Sequence, residues 1–207
     1  MRKINSLIKT LFVFVSAFFF MNSVSAANYK VTVNGTENYD YVHQVLDIVN
    51  EERAKEGLQP LKLDSKLTEK AMIRAAEITD TFEHTRPNDT SCFTVLNGIS
   101  FNAAGENIAA GQGNPKSVMV SWMNSKGHME NIMGKTDISK DFTAIGIGHI
   151  NVNGRNYWVQ LFTDNFTSEF TKTGTKDVTI TFDKTPVKLD NPEFIFNMNY
   201  KSGDTIR

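Results

Sequence analysis

The side chains best suited to chemistry in this sequence are two histidines and a glutamate in three separate segments. His84 precedes a proline-containing turn, Glu106 stands inside a run of small and apolar residues, and His128 directly follows a glycine. Neutral imidazole nitrogens and a carboxylate oxygen form a ligand set that zinc accepts in open sites. These residue types predict that His84, Glu106 and His128 form a site for a divalent cation such as zinc, or for a polar ligand.

The spacing of these three residues leaves two other roles open. The sequence has no HExxH motif or other local pair that would fix two ligands on one helical face. The same residues suit a peptidase-like hydrolase, in which a cation held by His84 and His128 polarises a carbonyl group or a water molecule while Glu106 moves the proton. They also suit a purely structural role, in which their hydrogen bonds only order the loops.

Two further residues with nucleophilic side chains lack the sequence context of a catalytic residue. Cys92 is the single cysteine of the chain, which excludes an internal disulfide, a zinc ribbon and a CxxC redox motif. The tripeptide Ser91-Cys92-Phe93 matches no catalytic signature, and Ser125 lies outside any G-x-S-x-G elbow. We expect a small buried thiol at Cys92 and a helix cap or surface group at Ser125.

Two helices are predicted before His84. Apolar residues recur at helical spacing between residues 39 and 56, and Gly57 follows where a left-handed C-terminal cap is needed. The second helix begins at Asp64 or Ser65, either of which can cap it. Its apolar stripe comprises Leu67, Ala71, Ala75, Ile78 and Phe82. His84 is thereby placed on a turn just past a helix, because Pro87 disfavours helical backbone before it.

A third helix is predicted before His128, and strands follow. Asn114 and Pro115 form a helix start, and the helix is expected to end near Gly127. Two strands over residues 144–152 and 157–162 are joined by Asn153-Gly154, a strong hairpin signal. Apolar residues alternate with threonines over residues 178–182, which predicts one more strand.

The first 26 residues have the order of parts found in a secretory signal peptide. Basic residues at positions 2, 3 and 9 precede an apolar run over 11–21, and small residues at 24–26 offer a cleavage site. The run is shorter than the ~20 residues that span a bilayer. We therefore predict a protein that is secreted, extracellular and not integral to a membrane. Beyond the signal peptide we expect a linker over 27–38, one domain over 39–168 and an extension with one or two strands over 169–207.

The composition excludes several classes of protein. The chain has 207 residues, 40% of them hydrophobic and 22% charged, which is typical of a globular protein and not of a disordered or collagenous one. Lys and Arg number 22 against 23 Asp and Glu, and no basic run is present. The sequence therefore lacks the positive surface that nucleic-acid binding requires, and we expect no nucleic acid among its partners.

Five short motifs in a fixed order resemble bacterial members of the CAP superfamily, which is also called the SCP-like extracellular domain. This superfamily includes cysteine-rich secretory proteins, antigen 5 and pathogenesis-related proteins. The motifs are His84-Thr85-Arg86-Pro87, Gly105-Glu106-Asn107-Ile108-Ala109, Trp122, Ser125-Lys126-Gly127-His128 and Ala144-Ile145-Gly146-Ile147-Gly148. The resemblance covers about residues 39–166. It implies an α+β fold, a three-layer α-β-α sandwich with a small antiparallel sheet between helices.

The resemblance also carries expectations about function. His84 matches the first histidine of the family's cleft, Glu106 an acid of that cleft and His128 its second histidine. Because the sequence offers no activated nucleophile, we expect a secreted, non-catalytic binding module with a cleft for a divalent cation or polar ligand and with lipid grooves. The expected partner is an extracellular ligand: a lipid, a cell-wall component or a protein. A metal-assisted, peptidase-like hydrolase is the alternative.

Overall fold

The computed structural model describes residues 27–186, which form four α-helices and a six-stranded sheet. The predicted signal peptide and residues 187–207 of the predicted extension lie outside the described residues. The helices are α1 (Tyr39–Lys55), α2 (Ser65–Glu77), α3 (Pro115–Met123) and α4 (Lys126–Met133). The strands are β1 (Tyr29–Asn38), β2 (Lys62–Leu63), β3 (Ala104–Ala110), β4 (Ala144–Val152), β5 (Arg155–Thr163) and β6 (Thr175–Lys184).

The sheet separates two helical layers. Its order is β3-β5-β4-β1-β6 with antiparallel pairing, and β2 pairs with β4 in parallel. One core lies between the sheet and α1, α3 and α4, and a second core lies between the opposite face and α2. Ile145 and Ile147 of β4 enter the first core, whereas Ala144 and Ile150 enter the second, as the two-residue period of a strand requires. The predicted three-layer sandwich is confirmed.

The ends of α1 and α2 follow their predicted signals. Gly57 has the left-handed backbone (φ +70°) that ends a helix, and Oδ1 of Asp64 accepts a hydrogen bond from the backbone N–H of Leu67 (2.9 Å). Oδ2 of the same buried carboxylate accepts from the backbone amides of Thr167 and Ser168. Asp64 therefore joins the start of α2 to the chain that follows β5.

The prediction for the chain around Gly127 was wrong. The third helix ends at Met123, and Ser125 has extended backbone (φ −104°, ψ 120°) and caps a new helix, α4, with its carbonyl. Gly127 lies inside the first turn of α4 and does not have left-handed backbone. A glycine in the sequence is compatible with both a helix end and a helix start. His128 consequently lies within the first turn of α4 and not beyond a helix.

Two other predictions need correction. Residues 27–38, predicted as a linker, contain β1, which pairs with β6 over ten residues from Tyr29↔Lys184 to Asn38↔Thr175. Phe82, predicted on the buried stripe of α2, is 51% exposed because the helix ends five residues earlier, at Glu77. The hairpin over β4 and β5 and the later strand β6 are confirmed. None of the helices within residues 27–186 combines the length and hydropathy of a segment that crosses a bilayer.

His149 of β4 is a buried histidine outside the predicted site. Its ring centroid lies 5.1 Å from that of Tyr41 and 4.3 Å from that of Trp158, and its Nε2 donates to Oδ1 of Asn156 (3.2 Å). Burial lowers the pKa of His149 to about 4, although the hydrogen bond to Asn156 acts in the opposite direction. The imidazole is therefore neutral in the folded protein at neutral pH.

We expect His149 to reduce the stability of the fold in mildly acidic solution. A histidine in the unfolded chain titrates near pH 6.5, so between about pH 6.5 and 4 the unfolded state binds a proton that the folded state excludes. The contribution of the neutral His149 to the free energy of unfolding is therefore fully present above about pH 6.5 and is lost as the pH falls toward 4. Its contribution to the free energy of unfolding should fall by about 2 kcal/mol between pH 7.5 and pH 5. Urea titrations at both pH values measure this, and an equal fall in His149→Gln would contradict it.

Candidate functional site

The segment between α2 and β3 brings His84 to Glu106. A β-bridge joins Thr85 to Ser91, and the carbonyl of His84 accepts a hydrogen bond from the N–H of Cys92 (3.0 Å), so the loop after His84 folds back on itself. Glu106 lies on the edge strand β3, on the face that packs against α2. Nδ1 of His84 lies 2.9 Å from Oε1 of Glu106. Two of the three predicted site residues are therefore in direct contact.

Arg74 of α2 holds Glu106 from the opposite side. Its Nε donates to Oε2 of Glu106 (2.7 Å) and its Nη2 to Oε1 (3.3 Å), while the side chains of both residues are buried. Nη2 also donates to the carbonyl of Glu83 (2.8 Å). Both oxygens of Glu106 consequently accept hydrogen bonds from its own protein, and Arg74 fixes the chain just before His84.

A second carboxylate and a second guanidinium continue this network. Nη1 of Arg74 donates to Oε2 of Glu77 (2.8 Å), and Nε and Nη2 of Arg86 donate to the same carboxylate. The order Arg86, Glu77, Arg74, Glu106 alternates in charge and balances two guanidinium groups against two carboxylates. Buried charges are tolerated when they are paired and hydrogen-bonded in this way.

The hydrogen bonds and charges around Glu106 determine whether its carboxyl group is ionised. Burial acts to raise its pKa, but the hydrogen bonds from His84 and Arg74 and the charge of Arg74 outweigh burial and lower the pKa below its usual range. Glu106 is therefore ionised at neutral pH and is a poor proton donor. Its carboxylate is best suited to orienting His84.

The contact with Glu106 fixes which nitrogen of His84 faces solvent. A carboxylate can only accept hydrogen bonds, so Nδ1 of His84 carries the proton. In the neutral imidazole this leaves the lone pair on Nε2, and the His84 side chain is 59% exposed. A carboxylate that orients the second nitrogen of a histidine is the usual arrangement behind a metal-bound imidazole.

His128 approaches from the other helical layer. Nδ2 of Asn107, the residue after Glu106, donates to the carbonyl of His128 (3.1 Å) and to Oε1 of Gln160 (2.9 Å). Nδ1 of His128 is buried and has no hydrogen-bond partner among residues 27–186. Burial lowers the pKa of His128, and the nearby His84 lowers it further. His128 is therefore a neutral imidazole at neutral pH.

Cys92 is a neighbour of the contact between His84 and Glu106. Within the described chain, His84, Cys92 and Glu106 form a group whose ligating atoms all lie within 4.8 Å of one another, and His128 is not part of this group. Burial and the Glu106 carboxylate raise the pKa of the Cys92 thiol to about 12. The thiol stays protonated at neutral pH, which makes it a weak nucleophile and a weak metal ligand.

The roles of four residues around the site were not predicted from the sequence, although two of them belong to the motifs of the family resemblance: Arg74, Glu77, Arg86 and Asn107. A signal was present for Arg74, because it occupies the stripe position between Ala71 and Ile78 on α2. A charged residue on an apolar stripe requires a buried partner. The identity of that partner depends on packing between α2 and β3, which local spacing does not reveal.

An apolar groove of about 440 Å³ lies between α1 and α3, apart from the histidines. Its apolar lining comprises Ile48, Met119, Val120 and Met123, and its charged lining comprises Glu51, Glu52 and Lys116. Val120 is 55% exposed although it is large and apolar. Uncovered apolar surface of this kind suits an apolar ligand.

Comparison with known proteins identifies a family whose model the chain matches, a relative of similar sequence and solved structures of similar fold. The model of the cysteine-rich secretory protein family, CAP, matches residues 46–162, which include His84, Glu106 and His128. The uncharacterised protein YkwD of Bacillus subtilis (strain 168) is 39% identical over 126 residues, which cover 59% of this chain and 46% of YkwD.

Two solved structures are similar in fold. An extracellular protein containing an SCP domain from Bacillus anthracis str. Ames has a TM-score of 0.55 at 26% identity, over 62% of this chain and 41% of that protein. An outer surface protein from Borrelia burgdorferi has a TM-score of 0.55 at 21% identity, over 67% of this chain and 99% of that protein. The chain spans less than half the length of YkwD and of the Bacillus anthracis protein.

Proposed function

The chain belongs to the cysteine-rich secretory protein (CAP) family, and from this premise we propose that it is an extracellular, non-catalytic binding module. Its cleft holds a divalent cation such as zinc between His84 and His128. The observation that carries the proposal is the contact between Nδ1 of His84 and the Glu106 carboxylate, which orients Nε2 of His84 for a ligand. The resemblance of the fold to extracellular and outer-surface proteins supports the location.

The donor set fits a cation of this kind. Nε2 of His84 is the ring nitrogen that does not contact Glu106, and a buried nitrogen of the neutral His128 imidazole, Nδ1, lacks a partner among the described residues. Zinc accepts imidazole nitrogens and keeps water in its remaining positions when a site is open. Bound there, the cation would supply a fixed positive charge that attracts a polar or anionic extracellular ligand.

In this proposal Glu106 orients His84 and is not a direct ligand. Both of its oxygens already accept hydrogen bonds from Arg74 or His84. A cation bound directly to Glu106 would also lie beside the Arg74 guanidinium, which repels it. In this arrangement His84 and His128 bind the cation through nitrogen lone pairs, and Glu106 acts by orienting His84.

The contacts favour binding over hydrolysis. Glu106 is ionised and engaged by two donors, so it has no proton to give to a leaving group at neutral pH. Cys92 is a protonated thiol. The side chain of Ser125 makes no hydrogen bond that would cap α4, and the hydrogen bonds of the described residues link it to no general base. Neither Cys92 nor Ser125 is therefore an activated nucleophile, and Glu106 is not a proton donor at neutral pH.

The groove between α1 and α3 is the proposed site for the expected lipid. An acyl chain is the ligand that suits its methionine and aliphatic floor, because flexible thioether side chains adapt to an apolar guest. Glu51, Glu52 and Lys116 would remain at the polar rim of that groove.

We expect the purified protein to bind zinc in a ratio of about one to one at neutral pH, and both His84→Ala and His128→Ala to abolish that binding. Each variant removes one of two imidazole ligands, and water cannot replace the lost affinity. Isothermal titration calorimetry measures the stoichiometry and affinity directly. His43→Ala is the matched control, because His43 lies on α1 with its Nε2 at the carbonyl of Lys172, outside the cleft.

Three outcomes would overturn parts of this proposal. Zinc binding that survives both cleft substitutions would assign the cation to another site. The absence of zinc binding by the unaltered protein would remove the cation from the proposed function. Metal-dependent hydrolysis of a peptide or ester that His84→Ala abolishes would contradict the non-catalytic role and favour the hydrolase.

A further inference from the structure

The C-terminal strand β6 contacts the segment that carries His84, although β6 lies beyond the residues that match the family model. Nζ of Lys184, the last residue of β6, lies 2.7 Å from Oδ2 and 2.8 Å from Oδ1 of Asp80. The backbone N–H of Thr185 donates to the carbonyl of Pro87 (2.9 Å). We refer to the Lys184–Asp80 ion pair and the Thr185–Pro87 hydrogen bond as the two β6 contacts.

The two β6 contacts bracket His84 in the chain. Asp80 lies four residues before His84, and Pro87 lies three residues after it. The end of β6 and the loop line an open groove of about 460 Å³, whose lining includes Thr81, Glu83 and Asp89. Within residues 27–186, the ion pair and the hydrogen bond are polar contacts between the end of the strand and this loop.

Strand β6 is itself firmly held. It pairs with β1 over its full length of ten residues, and Phe182 is 5% exposed within the core that α2 also lines. Phe182 lies two residues before Lys184, and its packing in this core keeps the end of the strand in place. The two β6 contacts therefore connect the His84 segment to a strand that is paired along its whole length with β1.

We propose that β6 positions His84, so that the extension beyond the family domain sets how well the cleft binds its ligand. Lys184 and Thr185 act through the loop and touch no ligand. Arg74 and Arg86 hold the loop to α2, and loss of either β6 contact removes a further restraint on the loop and loosens the hydrogen bond from His84 to Glu106. The effect on ligand affinity rests on the proposed function, whereas the effect on the His84 imidazole does not.

The ion pair is suited to a clean test because its loss will not unfold the protein. The side chains of Lys184 and Asp80 are 22% and 20% exposed, and ion pairs near the surface contribute little to stability. Lys184→Gln removes the charge and keeps most of the length of the side chain, while Lys184→Arg retains the ion pair. Lys30→Gln is the matched control, since Lys30 pairs with Asp183 on the same two strands and not with the loop.

We expect Lys184→Gln to change the His84 imidazole and to weaken zinc binding. The ¹⁵N resonance of Nδ1 of His84 should move toward the average of the two tautomers, which NMR of histidine-labelled protein detects without any metal. Zinc affinity should fall by about threefold to tenfold, the size of effect found for residues that couple to a site without contacting its ligand. Lys184→Arg should restore both readouts, and Lys30→Gln should change neither.

Thr185→Pro tests the second contact, because proline has no N–H to donate to Pro87. Unchanged His84 resonances in both Lys184→Gln and Thr185→Pro would overturn the inference. Equal changes in Lys184→Gln and Lys30→Gln would also overturn it, because they would reflect a general loosening of the β1–β6 pair. If the unaltered protein fails to bind zinc, the proposed function fails, and the His84 resonances still decide whether β6 positions this residue.

Discussion

Replacing Gly148 by alanine should lower the free energy of unfolding by at least about 3 kcal/mol, the upper end of the range for overpacked cores. A Cβ atom on Gly148 would lie 2.1 Å from the carbonyl oxygen and 2.4 Å from the carbonyl carbon of Ala71, in the middle of α2. These are backbone atoms, so no rotamer change relieves the overlap and the whole helix must move. Urea denaturation followed by circular dichroism measures the loss.

Gly113→Ala is the matched control for this substitution. No atom lies within 4 Å of a Cβ built on Gly113, and its backbone is not left-handed, so the change should alter stability by less than about 0.5 kcal/mol. A Gly148→Ala protein as stable as the control would mean that α2 and β4 are not in direct backbone contact. Because α2 also carries Arg74, displacement of this helix should weaken zinc binding in the variant as well.

Gly146 and Gly148, the two glycines of the family-like motif on β4, allow α2 to pack closely against the sheet. A Cβ on Gly146 would lie 2.3 Å from the carbonyl carbon of Leu67, one helical turn before Ala71. The two glycines alternate along β4 with Ile145 and Ile147, which point to the opposite core. The motif was recognised through the family resemblance, but its physical reason is the close approach of α2 to the sheet.

Much of the fold could be predicted because its signals are local. The cap at Asp64, the left-handed Gly57 and the Asn153-Gly154 hairpin each depend on a few consecutive residues. Strand β1 was missed because its partner β6 lies about 140 to 155 residues further along the chain. The start of α4 was missed because a glycine does not distinguish the end of a helix from its first turn.

The candidate site also has a part that could be predicted from the sequence and a part that could not. The contact between His84 and Glu106 could be anticipated from motifs that stand in a known order, and it is present. The partners of Glu106 could not be anticipated, because Arg74 meets it across 32 positions of sequence and only after α2 packs on the sheet. Long-range ion pairs of this kind are a property of the packed chain.

Arg74→Met should be the most destabilising single change near the cleft, with a loss of about 3–5 kcal/mol at neutral pH, the range for breaking one side of a buried ion pair. The guanidinium satisfies Glu106 and Glu77 at once and is fully buried. Methionine fills much of the same volume, so the loss reports uncompensated charge and not a cavity. Arg155→Met is the control, because Arg155 is exposed and contacts the face of the Tyr157 ring.

The pH dependence of this loss distinguishes charge from packing. In the unaltered protein the pKa of Glu106 is lowered, so its contribution to stability is present above the unfolded value and is lost as the pH falls through the folded value. Without Arg74, burial dominates and should raise the pKa of Glu106, so that protonation relieves the buried charge as the pH falls. The gap in unfolding free energy between the two proteins should therefore narrow from pH 7 to pH 4. A gap that stays constant over this range would mean that Arg74 stabilises the protein through packing alone.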